Sequence, residues 1–256
     1  MTERAVATYP SLAGRTVFVS GGASGIGEAI VRAFAGQRAR VGFVDIMEDA
    51  GTKLAEELSG QGAEVLFVPC DLTDIAALKA AVTRVAAELG TVTVLVNNAA
   101  NDTRHDWRNE TPESFDARVA VNLRHFFFAI QAVAPGMIEA GGGSIVNFGS
   151  ISWMVGSRDL PVYMTAKAGI HGMTRSFARE LGAHRIRVNT VLPGWVMTER
   201  QLKLWVNEET DKLLAERQCL PDRLQPDDLA RMVLFLASDD SAMCTAQNFI
   251  VDGGWA

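Results

Sequence analysis

The sequence predicts an α/β chain built on one doubly wound sheet of about seven parallel strands, with helices on both faces. Three observations predict it. Short runs rich in Val, Ile and Phe alternate with longer segments whose apolar residues fall three and four apart. The short runs are apolar on both faces, as strands covered from two sides must be. Seven such runs in 256 residues fit one sheet more economically than two domains. The whole of 1–256 is therefore expected to be a single domain.

The elements follow in order. Residues 15–20 (RTVFVS) read as the first strand, and a helical period over 26–36 follows a glycine-rich turn. The run 40–45 (RVGFVD) is the second strand, followed by a helix over 48–60. The third strand, 64–68 (EVLFV), leads into a helix over 74–89, and the fourth, 92–96 (VTVLV), into a long helical period over 112–140. The fifth strand is 144–148 (SIVNF), with a helix over 162–182 after it. The runs 187–191 (RVNTV) and 248–251 (NFIV) close the sheet around a helix at 226–237. One stretch breaks the rhythm: 194–224 holds two helical pieces, 199–206 and 208–217, and no strand. An excursion of that length inside a compact domain suits a substrate loop or lid, or else a surface helical hairpin outside the chemistry.

Composition removes several functions. A formal charge of −6 with no basic stretch argues against a nucleic-acid partner. No window approaches the ~20 apolar residues of a membrane span, and the opening MTERAVATYPSLAGR carries Glu3, Arg4 and Arg15 without the apolar core of a secretion signal. Cys70, Cys219 and Cys244 lack paired spacing, and His105, His125, His171 and His184 form no HExxH or HxxxH pair, so neither a disulfide framework nor a metal site is expected. A cytoplasmic location fits such cysteine usage.

The first strand runs into Ser20-Gly21-Gly22-Ala23-Ser24-Gly25-Ile26-Gly27 and then a helix. Glycines there let backbone N–H groups and the helix N-terminus approach a pyrophosphate, which makes the sheet a Rossmann-type one. Asp45, 18 residues after Gly27, ends the second strand. Its carboxylate can accept hydrogen bonds from the adenosine ribose hydroxyls and would repel a 2′-phosphate, while Ile46, Met47 and Glu48 add no cation to welcome one. NAD is expected rather than NADP. Asp45 as an N-cap for the following helix is compatible with that role.

The spacing S-G-x-x-x-G-x-G resembles the loop of the short-chain dehydrogenase/reductase family, with Ser20 where that family has Thr. The remaining family marks follow in order: Asp71-Leu72, Asn97-Asn98-Ala99-Ala100, Asn122, Ser150, Tyr163-x-x-x-Lys167, and Pro193-Gly194 followed by Val196 and Thr198. Ala100 departs from the usual Gly. On a helix, Tyr163 and Lys167 share one face. A neighbouring ammonium favours a phenolate, and lowering a phenol by ~3 units corresponds to about 4 kcal/mol. Tyr163 is thus the expected base for a substrate hydroxyl, with Ser150 holding the substrate oxygen. An ordinary amphipathic helix also explains a YxxxK pair by itself. The resemblance implies that Asn122 anchors a proton relay through Lys167, that Lys167 also binds the nicotinamide ribose, and that Tyr163 too contacts the cofactor. It further implies that Ser20, Gly21, Ser24, Gly25, Ile26 and Gly27 hold the pyrophosphate. Asp45 and Ile46 would take the adenosine ribose, Asp71 and Leu72 the adenine, Asn98 and Ala99 the cofactor ribose, and Pro193, Gly194, Val196 and Thr198 the carboxamide. A homotetramer is implied too, with contacts through the helices at 112–140 and 162–182 and the last strand.

The variable segments bear on the substrate. Asn101, Arg104 and His105 follow the fourth strand, Ser152 and Trp153 follow Ser150, and Trp195 follows Gly194. Polar groups beside indoles suit a compact substrate with many hydroxyls, since indole covers the C–H face of a sugar ring. A solvated loop held by its own turns is the competing reading of 101–105. The strings NAANDTRH, NLRHFFF, VNFGSISW and the ending VDGGWA resemble bacterial NAD-dependent aldose 1-dehydrogenases of the D-xylose type. That resemblance implies oxidation of the anomeric hydroxyl of an aldose to a lactone. Other small secondary alcohols or ketones remain open as substrates. A non-catalytic dinucleotide-binding regulator also remains open, although Ser150, Tyr163 and Lys167 count against it.

Overall fold

The computed structural model describes residues 6–256; residues 1–5, the start of the stretch expected to carry no secretion signal, lie outside the described residues. All seven expected strands form within two residues of their expected bounds. They are β1 (Thr16–Ser20), β2 (Arg40–Asp45), β3 (Val65–Pro69), β4 (Val92–Asn97), β5 (Gly143–Phe148), β6 (Ile186–Pro193) and β7 (Asn248–Val251). They pair in parallel in the order β3-β2-β1-β4-β5-β6-β7. Chain order reverses between β1 and β4, where Ser20 lies opposite Asn97. In such sheets the crevice beyond the carboxyl ends of these two strands receives the ligand.

Among the described residues ten α-helices accompany the sheet: α1 (Gly25–Gly36), α2 (Glu48–Gly60), α3 (Ile75–Leu89), α4 (Pro112–Val119), α5 (His125–Glu139), α6 (Ser152–Val155), α7 (Pro161–Leu181), α8 (Glu199–Leu204), α9 (Glu208–Arg217) and α10 (Pro226–Ala237). Strand residues alternate between two cores. Val17, Val19, Val41 and Phe43 pack with Ile30, Phe34, Leu229 and Val233 from α1 and α10. Phe18, Val44, Leu95 and Ile145 pack with Leu78, Val82, Ile130 and Met137 from α3 and α5. Each fully buried side chain of this size contributes roughly 1.5–3 kcal/mol, so the double cover of the sheet fixes the register of every strand end that reaches the crevice. Asp74 caps α3 by accepting from the Ala76 and Ala77 N–H groups, a contact worth ~1 kcal/mol.

One expectation needs correction. The helical period over 112–140 is not one helix. A π-helical turn, Ala120–Arg124, separates α4 from α5. The turn holds one residue more than an α-turn and carries Asn122, fully buried. The excursion at 194–224 contains α8 and α9 as expected, with α8 ending two residues early at Leu204. Among the described residues, no helix is long and apolar enough to cross a membrane.

Candidate active site

A cleft of about 1570 Å³ lies beyond the carboxyl ends of β1, β4, β5 and β6. Its floor at β1 is glycine because nothing larger fits. Gly21 has φ +68°, and a β-carbon there would sit 2.8 Å from Ala99 Cα. A β-carbon on Gly27 would land on the Gly21 carbonyl oxygen. Asn98 holds the loop from the β4 side, its Nδ2 donating to the carbonyls of Ser20 (3.1 Å) and Gly21 (2.9 Å). The result is a backbone cradle opening on the N-terminus of α1, where N–H groups favour an anion.

Asp45 closes the cleft at the end of β2. Only 9% exposed, it accepts the Ala23 N–H on Oδ2 and the Met47 N–H on Oδ1, each at 3.0 Å. The N-cap of α2 is Met47 rather than Asp45. Each carboxylate oxygen keeps a further acceptor position, and the two backbone bonds hold them in place at the cleft wall. Ile46, Asp71 and Leu72 line the same end.

Ser150, Tyr163 and Lys167 line the middle of the cleft together. The first follows β5, and the other two lie in the first turns of α7, which opens with Pro161 at its start. Lys167 is 2% exposed. Its Nζ donates to the Phe148 carbonyl at 2.7 Å and lies 5.1 Å from the Phe126 ring centre and 5.6 Å from that of Tyr163. Burial pulls its pKa down to about 7, against the opposing pull of Asp102. The Tyr163 phenol moves opposite to the direction expected from its ammonium neighbour. Burial pushes it up, the Asp102 charge pushes it further, and only a hydrogen bond with Ser150 pulls it back. Both groups are therefore held toward their neutral forms, and a cation entering the cleft would favour the phenolate.

Four expected site residues do not face the cleft. Ser20 is fully buried, its Oγ accepting the N–H groups of Asn98 (3.0 Å) and Ala99 (3.2 Å), so it ties β1 to β4. Asn122 spends its amide on the loop after β4: Oδ1 accepts the Asn101 N–H at 2.9 Å, and Nδ2 donates to the carbonyls of Asn101 and Arg118. The His105 ring accepts the Val162 N–H at 3.3 Å and lies 3.9 Å from Glu110, anchoring the loop to the start of α7. Trp153 packs beside His171, ring centres 6.3 Å apart. The remaining expected residues, Gly21, Ser24, Gly25, Ile26, Gly27, Asn98, Ala99, Pro193, Gly194, Val196 and Thr198 for the cofactor and Asn101, Arg104, Ser152 and Trp195 for the substrate, all line the cleft.

Asp102, in the polar stretch 101–105, lines the cleft as well, and the structure adds Gln201 and Trp255 to it. Gln201 follows Thr198 by three residues and Trp255 stands in the VDGGWA ending, but nothing in either string shows that these two side chains reach the cleft. His125 sits fully buried beneath the β4 loop, its Nε2 3.2 Å from the Ala99 carbonyl and 3.1 Å from that of Val121. Two carbonyl acceptors put the proton on Nε2, and burial lowers the pKa to about 4. The unfolded chain binds this proton near the ordinary pKa of about 6.5, so stability should fall as pH drops from about 6.5 to about 4 and not change further below that. The loss from this residue is about 3 kcal/mol. Urea unfolding at pH 6.5 and 4.5 should show this difference between the wild-type chain and His125→Gln; equal pH slopes for the two proteins would remove His125 as its source.

Comparison with known proteins agrees with this geometry. A family model described as "Enoyl-(Acyl carrier protein) reductase" matches residues 21–256. The chain is 51% identical over 247 residues to a "Probable galactose dehydrogenase" of Rhizobium meliloti (strain 1021), covering 96% of both chains. It is 49% identical over 249 residues to the D-xylose 1-dehydrogenase of Caulobacter vibrioides (strain NA1000 / CB15N), covering 97% of this chain and 98% of that one. Among solved structures, a blue fluorescent protein from a metagenomic library, in complex with NADPH, superposes with a TM-score of 0.88 at 34% identity, over 96% of this chain and 99% of that one. The glycine cradle and the carboxylate at the end of β2 fit a nicotinamide dinucleotide, the cofactor of an oxidoreductase of this fold. Matched from the glycine cradle to its last residue, the chain belongs to the short-chain dehydrogenase/reductase family.

Proposed function

We propose that the protein is an NAD-dependent sugar 1-dehydrogenase, oxidising the anomeric hydroxyl of an aldose to the corresponding lactone within one dinucleotide-binding and catalytic unit. The observation that carries the sugar is the wall of the cleft beyond Tyr163. Asn101, Asp102, Arg104, Ser152 and Gln201 offer donors and acceptors there, and Trp195 offers an indole. Such a wall suits many hydroxyls around one small apolar ring face better than a steroid or an acyl chain. The relatives named as galactose and D-xylose dehydrogenases support the same substrate class.

In this reading the Gly21–Gly27 cradle would hold the pyrophosphate of a dinucleotide, Asp45 its adenosine ribose, and Thr198 and Lys167 its nicotinamide end. When bound, the dinucleotide supplies the hydride acceptor. The Tyr163 oxygen takes the proton of the substrate hydroxyl, Ser150 holds the same substrate oxygen, and Lys167 stabilises the phenolate. A purified sample should reduce NAD with at least one pentose or hexose in a single-epimer panel, and the product should hydrolyse as a lactone does. Turnover of secondary alcohols alone would overturn the sugar assignment.

Asp45 carries the choice of NAD. Its two backbone bonds hold a full negative charge where a 2′-phosphate would lie. Asp45→Asn keeps the shape and removes the charge, so the ratio of kcat/KM for NAD over NADP should fall about 10-fold or more. An unchanged ratio would remove that role from Asp45.

The outer face of α5 and α7 supports a homotetramer. Phe126 is buried in its own chain, whereas Phe127 is 45% exposed and packs on Phe128 and Phe177, leaving an apolar surface. Native mass measurement of four chains is the expected result, and a monomer would contradict it. The unpaired cysteines and neutral small substrate fit a cytoplasmic enzyme.

A further inference from the structure

Asp102 lines the cleft together with Ser150 and Tyr163, and it works against the chemistry beside it. Its charge disfavours the Tyr163 phenolate, so its contribution lies elsewhere than in deprotonating the substrate. Its oxygens are already oriented. Oδ2 accepts from Gln201 Nε2 at 2.7 Å, and Oδ1 lies 3.2 Å from the Arg200 guanidinium. Gln201 is fixed in turn, because its Oε1 accepts the Trp195 indole N–H at 2.9 Å. Arg200 also donates to Thr103 Oγ1 at 3.1 Å, and the Arg104 guanidinium lies 4.1 Å from the centre of the Trp205 ring. The loop after β4 and the segment around α8 are thus joined across the mouth of the cleft.

A carboxylate offers about four acceptor positions, and these two partners take two of them. The side chain keeps 31% of its surface open in a cleft it shares with Ser150 and Tyr163. A preoriented acceptor with free lone pairs, in the same cleft as Ser150 and Tyr163, is what a second substrate hydroxyl would find. The geometry points to Asp102 as a specificity-determining residue that accepts a hydrogen bond from the aldose hydroxyl on the carbon next to the one oxidised, with Gln201 and Arg200 holding its carboxylate in place. This inference rests on the sugar reading above.

The test is a two-by-two cycle. Wild type and Asp102→Asn are each assayed on the best aldose of the panel and on its 2-deoxy analogue, with NAD affinity followed by fluorescence titration. On the full sugar, Asp102→Asn should lower kcat/KM roughly 10- to 100-fold, the size of one hydrogen bond to a charged acceptor, and NAD affinity should not change. Wild type should lose a similar factor on the 2-deoxy sugar, and on that sugar the substitution should cost no more than about 3-fold. Equal losses from Asp102→Asn on both sugars, or none on either, would overturn the contact and leave the sugar reading standing. A wild type inactive on every aldose would overturn the sugar reading and this inference with it. Asp102→Ser carries the same cycle if the Asn variant does not fold.

Discussion

Tyr163→Phe should lower kcat for alcohol oxidation by at least about 10³-fold while leaving dinucleotide binding within about 3-fold. The substitution removes one oxygen. The ring that lies 5.6 Å from Lys167 Nζ is kept, as is its place in the first turn of α7. The folded structure loses only the hydrogen bond with Ser150, worth about 1 kcal/mol. What disappears is the acceptor for the substrate proton. Burial and Asp102 both oppose ionisation of the phenol and hold its pKa high, so the wild-type oxidation rate should climb as pH rises through neutrality and beyond. Asp102→Asn removes the negative charge that adds to the effect of burial and should move that climb to lower pH. NADH formation under saturating substrate gives the rates, and quenching of protein fluorescence gives the binding. A Phe variant retaining a tenth of wild-type turnover would place the base elsewhere. A variant that also lost binding would mean that the oxygen is structural, and one that kept binding without turnover would exclude the regulator reading.

The features legible in the sequence are those set by short-range spacing. β1, β4 and β5 read as strands because burial on both faces makes Val, Ile, Leu and Phe predominate along them, with buried polar exceptions such as Ser20, Asn97 and Asn147. Tyr163 and Lys167 were placed on one face by a spacing of four, and Gly21 to Gly27 by a turn too tight for side chains. The misplaced residues are those whose direction depends on distant partners. His105 and Trp153 have the right chemistry for a sugar, but His105 turns to the Val162 N–H and Trp153 to His171, both on α7. Ser20 and Asn122 lie at family positions and face other loops of their own chain. The π-turn escaped because one extra residue shifts the phase of an apolar pattern without interrupting it. Its benefit, Asn122 pinning both the N–H and the carbonyl of Asn101, appears only once α4, α5 and the β4 loop are assembled. Gln201 joins Asp102 across 99 positions of chain, a pairing that no local pattern encodes.

The same glycine-to-alanine change at the two ends of α1 should have opposite outcomes. At Gly27 the new methyl meets the Gly21 carbonyl oxygen, and it stands 2.8 Å from Asn98 Nδ2. To admit it the loop must open, and the two Asn98 bonds that close the loop on β4 are then lost. Those bonds and the clash together cost several kcal/mol by overpacking and unmade hydrogen bonds. Because the same backbone is the proposed pyrophosphate cradle, dinucleotide affinity should fall by about 100-fold or more, with a drop in Tm of several degrees. At Gly36 a β-carbon meets nothing within 4 Å, and the residue does not have the positive φ that would forbid a side chain. Gly36→Ala removes chain entropy from the unfolded state at a helical position, so it should stabilise by about 0.5–1 kcal/mol and leave the dinucleotide affinity unchanged. Thermal melts with and without NAD separate the two effects. The Gly27 variant should show almost no NAD-dependent rise in Tm, whereas the Gly36 variant should show the full wild-type rise from a higher baseline. If Gly27→Ala bound NAD as tightly as wild type, the loop after β1 would not be the cradle, whatever its resemblance to one.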